Sequence, residues 1–465
     1  MRKFVFIILF FGISISSNSQ HNDKKATDLT RVMVSELLKN SNMPGISVAI
    51  SKHGKIVFDE GFGYADIENK IPVTATTQFR TASVAKIITA TALAKLIQDG
   101  KLNLDLPVQK YVPDFPVKQF TITSRQLAGH LSGLPHYSDA DKIEDRVYPS
   151  VKDALSVFSH EDLMAEPGIK YKYSTHGYTL LSAVIEGASG KNYLDYMKTE
   201  IFEPLKMDNT GPDKRRQIPN PKAAKLYVVK NSGQEEIKNP EEVSYKWAGG
   251  GLVSTPTDLI SLANGYFNSF IQPNIVKLIF ESQTLKSGEK TQVGIGWRIS
   301  QDIDCRRVIE HAGSMQGARS VICIYPDDEL IISIMVNAEW PSTIEETAHM
   351  LARPFFTKTS PQSIPNGQFN ISTTTVNVRG EETANKGNME IVNGIGKINL
   401  STGQQASVIY LDDKNVYALI RQDGIYYLNI DFDGLELTGK TIGYGSQLSE
   451  CPVNNPPFFK FQSVK

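Results

Sequence analysis

Cysteine is scarce in this 465-residue chain: Cys305, Cys323 and Cys451 are the full set. Three thiols so far apart exclude a disulfide framework and a cysteine-based metal site, while a single bridge stays open for an exported protein. Cys323, in SVICIYP, reads as a small buried apolar residue. An excess of charge of one sign is missing too. Lys and Arg total 49 against 50 Asp and Glu, a formal net charge of −1, so there is neither a basic field for nucleic acid nor an acidic tail. A small-molecule or peptide partner is expected instead. After residue 13 no segment approaches the ~20 apolar residues of a membrane span. The one short apolar run is N-terminal: in MRKFVFIILFFGISISSNSQ, Arg2 and Lys3 precede Phe4–Ile13, and Ser17 and Ser19 supply small residues for cleavage. This predicts an export signal over 1–19, removed rather than kept as an anchor, and a periplasmic or extracellular location. Internal repeats and low-complexity tracts are absent as well.

What is present is ordinary for a folded protein, 40% hydrophobic and 21% charged residues, and the length suggests two domains. DLTRVMVSELLKN has helical periodicity, and GISVAISKHGKIVFDEGFGYAD reads as two strands around a His53-Gly54 turn. Helical patterns dominate from Ser83 to about Phe280: SVAKIITATALAKLIQDG, VKDALSVFSHEDL, GYTLLSAVIEGAS and TPTDLISLANGYF. Strand signals return in GIGWRIS, RRVIEH, ARSVICIYP and ELIISIMVNA, and TIEETAHMLARPFF closes the segment as a helix. The expected fold class is α/β (α+β): an antiparallel sheet built from both ends of a domain over 25–356, flanked by helices, with a mainly helical insertion forming a cleft wall. The Pro-bearing polar stretch 357–368 reads as a linker. Beyond it, over 369–465, NMEIVN, KINLST, ASVIYLDD, VYALIRQ, IYYLNIDF and KTIGYG alternate as strands of a small all-β domain.

The chemistry is concentrated in TASVAKIITA, residues 81–90. A serine hydroxyl needs a neighbouring base to become a nucleophile, and positions three apart share a helix face, so Ser83 and Lys86 can enter one cavity. The lysine serves as a base only if desolvated or placed beside other cations; alternatively it stays charged and depresses the pKa of a second base. Ser-x-x-Lys is a loose pattern, and Ser287-Gly288-Glu289-Lys290 matches it too. That copy lies in polar LKSGEKTQ, whereas Ser83 opens a long apolar helical pattern.

Tyr173, in GIKYKYSTHGYTLL, stands in a loop just before a helix. Beside an ammonium a phenolate is favoured electrostatically, which would make Tyr173 the general base; the plainer reading is a tyrosine packed at a helix entry. Tyr266-Phe267-Asn268 and Tyr427-Leu428-Asn429 are rival patterns in unsuitable settings. A third element should be a strand lining the cleft, and His311-Ala312-Gly313 in VIEHAGSMQGARS fits, Gly313 permitting close backbone approach. Lys286-Ser287-Gly288 is its rival. His130 and Ser132 in AGHLSGLPHY invite a Ser-His reading that a structural loop histidine explains better. Asp258, near the start of PTDLISLA, reads as structural.

Taken in order, MPGISVAI, FRTASVAK, ITSRQLAGHLSGLPHY, PGIKYKYSTHGYTLLSAVIEGASG, WAGGGLVSTPTDLISLANG, GIGW and EHAGSMQGARS resemble the serine β-lactamase and penicillin-binding superfamily, in its class C and esterase-like branch, over about 25–355. The resemblance implies Ser83 as acylated nucleophile and Lys86 and Tyr173 as the proton-handling pair. It implies backbone N–H groups of Ser83 and Ser314 as oxyanion hole, with His311, Gly313 and Thr175 facing substrate, and neither metal nor cofactor. Thr175 replaces the asparagine usual in class C enzymes, and His311 replaces a lysine, making an anchor for a substrate carboxylate depend on pH. An esterase or peptidase, including one for D-amino-acid peptides, is therefore favoured over an efficient β-lactamase. The alternative is a penicillin-binding sensor that acylates with little or no turnover, with a C-terminal domain whose partner is unknown.

Overall fold

Strand formation starts at the turn foreseen in the sequence: His53 and Gly54 both take positive φ, 49° and 73°, the geometry that matches strand twist in a tight hairpin. The structure, a computed structural model, describes residues 9–137, 145–230, 233–340, 344–356, 366–376, 382–400, 403, 405–412, 416–433, 436–442 and 459–464. The chain begins there with helix α1 (Leu9–Ser41). The hairpin follows as β1 (Gly45–Lys52) and β2 (Lys55–Asp66). Of the predicted export signal, residues 1–8 lie outside the described residues. No helix among those described is long and apolar enough to cross a membrane.

Two compact units divide the described residues: Met43–Glu345 forms one, and the chain up to Asn42 joins the residues from Glu346 onward in the other. In the first unit, helices α2 (Ala85–Gln98) and α3 (Thr175–Ser189) belong to the insertion. The chain then returns to the sheet through β3 (Arg298–Gln301), β4 (Arg307–Met315), β5 (Ala318–Tyr325) and β6 (Leu330–Val336). The seven-stranded sheet runs from a short strand at Ile71–Pro72 through β2, β1, β6, β5 and β4 to β3. β1 and β6 pair antiparallel from Ile46↔Val336 to Lys52↔Leu330. Both ends of the unit thus build one sheet, as the strand signals at the two ends required. All of β6 is buried, which is why LIISIMV shows no polar alternation.

The insertion is less helical than its pattern suggests. Of VKDALSVFSHEDL, only Val151–Leu155 is helix. A hairpin, Tyr227–Lys230 with Gly233–Glu236, also lies within the long stretch 205–247. Cys305 is disulfide-bonded, the single bridge that spacing left open, and Cys323 is a buried free thiol.

The second unit is more ordered than a string of short strands. Eight strands close into a barrel: β7 (Gly367–Val376), β8 (Glu382–Val392), β9 (Ile395–Leu400), β10 (Gln405–Asp412), β11 (Val416–Arg421), β12 (Gly424–Asp433), β13 (Glu436–Ile442) and β14 (Phe459–Val464). Each pairs antiparallel with the next, and β7 closes on β14. The first and last strands are not among the segments read as strands from the sequence; β7 begins at Gly367, inside the predicted linker, whose residues 357–365 lie outside the described ones. Met389, Ile398, Val408, Leu419 and Leu428 pack together. Val416, Ala418 and Ile420, on the alternate positions of β11, are buried as well, since α1 packs on this strand and brings Met33, Val34 and Leu37 fully out of water. Buried Glu36 on α1 accepts hydrogen bonds from Ser407 Oγ at 2.8 Å and Lys39 Nζ at 2.9 Å, and pairs with Lys397.

Candidate active site

Ser83 occupies a single 3₁₀ turn, Ala82–Val84, directly before α2. Ala82 has φ of +46°, a conformation that costs a non-glycine residue energy and persists only where surroundings impose it. The surroundings are explicit. Ser320 Oγ donates to Thr81 O at 2.5 Å, and Thr81 N donates to Leu252 O at 2.9 Å. Arg80, fully buried, donates through Nε to Asp213 at 2.7 Å and through its other nitrogens to Glu241 O and Gln316 O. One guanidinium therefore ties three separate segments to the residue that leads into the turn.

The long apolar pattern after Ser83 makes α2 a helix buried on nearly all sides from Ala85 to Ala94. Lys86 goes with it and is fully buried. Its Nζ lies 2.6 Å from Gly249 O, 3.2 Å from Thr175 Oγ1 and 3.3 Å from Ser83 Oγ. Burial first, and then the charge of Arg298, hold this amine well below the ordinary lysine pKa. An uncharged amine has two N–H donors and one lone pair. Lys86 Nζ donates to Gly249 O, Thr175 Oγ1 and Ser83 Oγ, and in its free-amine form it would keep the first two bonds and turn its lone pair to the Ser83 hydroxyl.

Tyr173 completes the group: its hydroxyl donates to Ser83 Oγ at 2.8 Å. Here the electrostatics correct the phenolate expectation. Burial raises the Tyr173 pKa and outweighs the opposing bond to Ser83 and the charge of Arg298, so the residue is a neutral phenol and a proton donor. Lys86 Nζ lies 4.8 Å from the centroid of its ring, and the net shift of the phenol is still upward.

The third element lies where a cleft strand should. β4 pairs with β3 only over Arg307–Glu310, so from His311 onward that edge of β4 is unpaired and runs along the Ser83 turn. A Cβ at Gly313 would stand 2.6 Å from Thr81 O and 2.9 Å from Ala82 Cβ; only glycine admits so close an approach. Ser314 follows, exposed. His311 is 1% exposed and its Nδ1 is 2.7 Å from Ala312 O. Burial first, and then the charge of Arg298, drive its pKa well below the usual histidine value. At neutral pH it is uncharged, and the charge that acts on it is that of Arg298 on neighbouring β3, whose guanidinium pairs with Glu345 at 3.3 Å. Thr175, 2% exposed, bonds Lys86 through its hydroxyl.

The rival patterns find plain roles. Ser287 and Lys290 are exposed in a loop, and the Tyr266 hydroxyl shares a hydrogen with buried Thr91 at 2.7 Å. Ser132 Oγ accepts from Leu134 N at 3.3 Å and forms no pair with His130, whose Nδ1 accepts from Ser174 N at 3.2 Å. Asp258 accepts from Asn209 N and Thr210 Oγ1, a structural anchor. Reading by motif missed Arg298 and His136. Arg298 carried a faint signal, a cation in GIGWRIS on the strand beside His311; His136 carried none.

Comparison with known proteins gives the family. The Beta-lactamase family model matches residues 31–353. The chain is 30% identical over 400 residues to the serine beta-lactamase-like protein LACTB, mitochondrial, of Homo sapiens, with 65% of this chain and 73% of that protein covered. It is 29% identical over 320 residues to penicillin-binding protein 4* of Bacillus subtilis (strain 168), covering 64% and 69% of the two. Among solved structures, the octameric penicillin-binding protein homologue from Pyrococcus abyssi is similar in fold with a TM-score of 0.61, at 20% identity, over 94% of this chain and 99% of that one.

Proposed function

The chain belongs to the β-lactamase family of serine hydrolases, and from that premise we propose that it is an exported enzyme in which Ser83 attacks an ester or peptide amide to form an acyl-enzyme that water then hydrolyses. The observation that carries the proposal is the position of Ser83 Oγ between a buried amine at 3.3 Å and a phenol hydroxyl at 2.8 Å. Neutral Lys86 takes the serine proton as Oγ attacks the carbonyl carbon. Tyr173, still protonated, donates to the departing group and becomes a phenolate, and protonated Lys86 then passes its proton to that phenolate oxygen through the polar cluster, restoring phenol and free amine. The amine recovers its lone pair for the water that cleaves the acyl bond. Backbone N–H groups of Ser83 and Ser314 receive the oxyanion, supported by the contact of Gly313 with the Ser83 turn.

Substrate preference follows from charge. With His311 neutral, the cation acting on it is Arg298, which pairs with Glu345 at 3.3 Å and can offer a substrate carboxylate only the donors that this pair leaves. A peptide or ester bearing an anionic group fits this best. The bonded Cys305 accords with an oxidising compartment and so with export.

Treating the protein with a fluorophosphonate, and separately with a penicillin, followed by mass spectrometry tests the nucleophile. An adduct on Ser83 that is lost in Ser83→Ala is expected; labelling elsewhere defeats the reading. Repeated turnover of short-chain esters or D-alanyl peptides supports an enzyme, whereas a stable adduct without product release makes the protein a sensor.

A further inference from the structure

The backbone that follows Tyr173 is gripped by two imidazoles. Ser174 N donates to His130 Nδ1 at 3.2 Å, and the next amide, Thr175 N, donates to His136 Nδ1 at 3.1 Å. Between these, Ser174 Oγ donates to Pro135 O at 2.6 Å, and Lys172 N donates to His130 O at 2.8 Å. The same rings flank the phenol: the His130 centroid lies 4.3 Å from that of Tyr173 at a tilt of 33°, and the His136 centroid lies 5.4 Å away, edge-on at 77°. Tyr173 is thus packed by two histidines that also fix its chain direction. A ring nitrogen that accepts is unprotonated, so in both residues the hydrogen sits on Nε2.

Thr175 is the pivot between this grip and the chemistry. Its amide faces His136, while its hydroxyl is 3.2 Å from Lys86 Nζ. Helix α3 does not need His136 for its own start, because Ser174 Oγ caps it by accepting from Gly177 N at 3.0 Å. We propose that His136 is a positioning residue: by accepting the Thr175 amide it sets the placement of both the Tyr173 hydroxyl on Ser83 and the Thr175 hydroxyl on Lys86. The inference rests on the reading of Ser83 as nucleophile. Its reach comes from geometry, since displacement of a catalytic group by about 1 Å lowers a rate about a hundredfold.

Three variants test it. In His136→Asn the side-chain oxygen falls near the place of Nδ1 and keeps the acceptor; His136→Leu fills similar volume without one; His136→Gln is polar but carries its oxygen one bond too far. Hydrolysis of a short-chain ester, the rate of Ser83 labelling by a fluorophosphonate, and thermal melting are measured for each. Leu and Gln are expected to lower kcat and the labelling rate about tenfold or more, with KM and melting nearly unchanged, while Asn restores most of the loss. Equal losses in all three variants, a loss confined to KM, or unaltered kcat in both Leu and Gln overturns the proposal, and Gln decides should Leu fail to fold. A 15N NMR spectrum of the wild-type protein decides the geometric half whether or not Ser83 reacts: a His136 ring protonated on Nε2 is expected, and one protonated on Nδ1 overturns it. Absence of any wild-type Ser83 adduct defeats the nucleophile reading instead, and is recognised separately.

Discussion

The Tyr173 hydroxyl donates to Ser83 Oγ at 2.8 Å, and the phenol is held protonated because burial outweighs the bond to Ser83 and the charge of Arg298. In the proposed reaction such a donor stabilises the attacking oxygen as its proton departs and is then in place to protonate the leaving group, and the base is the other neighbour, Lys86.

Removing the phenol proton alone separates these roles. Tyr173→Phe is expected to lower kcat about a hundredfold to ten-thousandfold, the usual range for general acid–base catalysis, and least for esters with good leaving groups. Comparing an activated aryl ester with an alkyl ester measures it; equal losses on the two would remove Tyr173 as the acid.

Lys86 predicts the acidic limb of activity. Its folded pKa is depressed, so the free amine is present above that lowered value and lost as pH falls through it. Activity should therefore rise with pH across a limb that lies well below the ordinary lysine range. The unfolded chain binds more protons between the lowered and the ordinary value, so this group also makes stability rise with pH over that window. Lys86→Arg, permanently charged, should abolish the limb together with about a hundredfold or more of the rate. A limb that survives in Lys86→Arg would assign it to another group.

Gly313 predicts a local effect. Gly313→Ala places a methyl group 2.5 Å from Ser320 Oγ and 2.6 Å from Thr81 O, and backbone on that side cannot yield cheaply. Acylation should slow by about tenfold to a thousandfold, the cost of impairing one oxyanion donor, while far-UV circular dichroism stays as in the wild type. Unaltered acylation would show that β4 does not shape the oxyanion site.

The barrel unit has its own pH dependence. Burial alone would raise the Glu36 pKa, but the bonds from Lys397, Lys39 and Ser407 prevail and bring it down to about 2, against 4.5 for an ordinary glutamate. Its stabilising contribution is complete above 4.5 and is lost as pH falls toward 2. Glu36→Gln should flatten acid unfolding of this unit across that window, measured by intrinsic tyrosine fluorescence. An unchanged acid transition would show the cluster to be energetically silent.

Much of this protein was legible in order and periodicity. Period-two and helical patterns located β1, β2, α2, α3 and β3 to β6, and the apolar helix after Ser83 explained why Lys86, rather than Lys290, is out of water. Such signals are local: they depend on residues a few positions apart. The closing of β7 on β14 joins residues about ninety positions apart, and no nearby pattern encodes it. The same holds for charge state. Whether His311 is cationic and whether Tyr173 is phenol or phenolate depend on burial and on the neighbouring guanidinium of Arg298. Residue types and their order were determined by sequence alone: a serine, a lysine and a tyrosine in the right succession, and a glycine where backbones meet. Tertiary structure decided their protonation and aim, including the grip of His130 and His136 on the chain after Tyr173, because desolvation and hydrogen-bond direction arise only when distant segments are packed together.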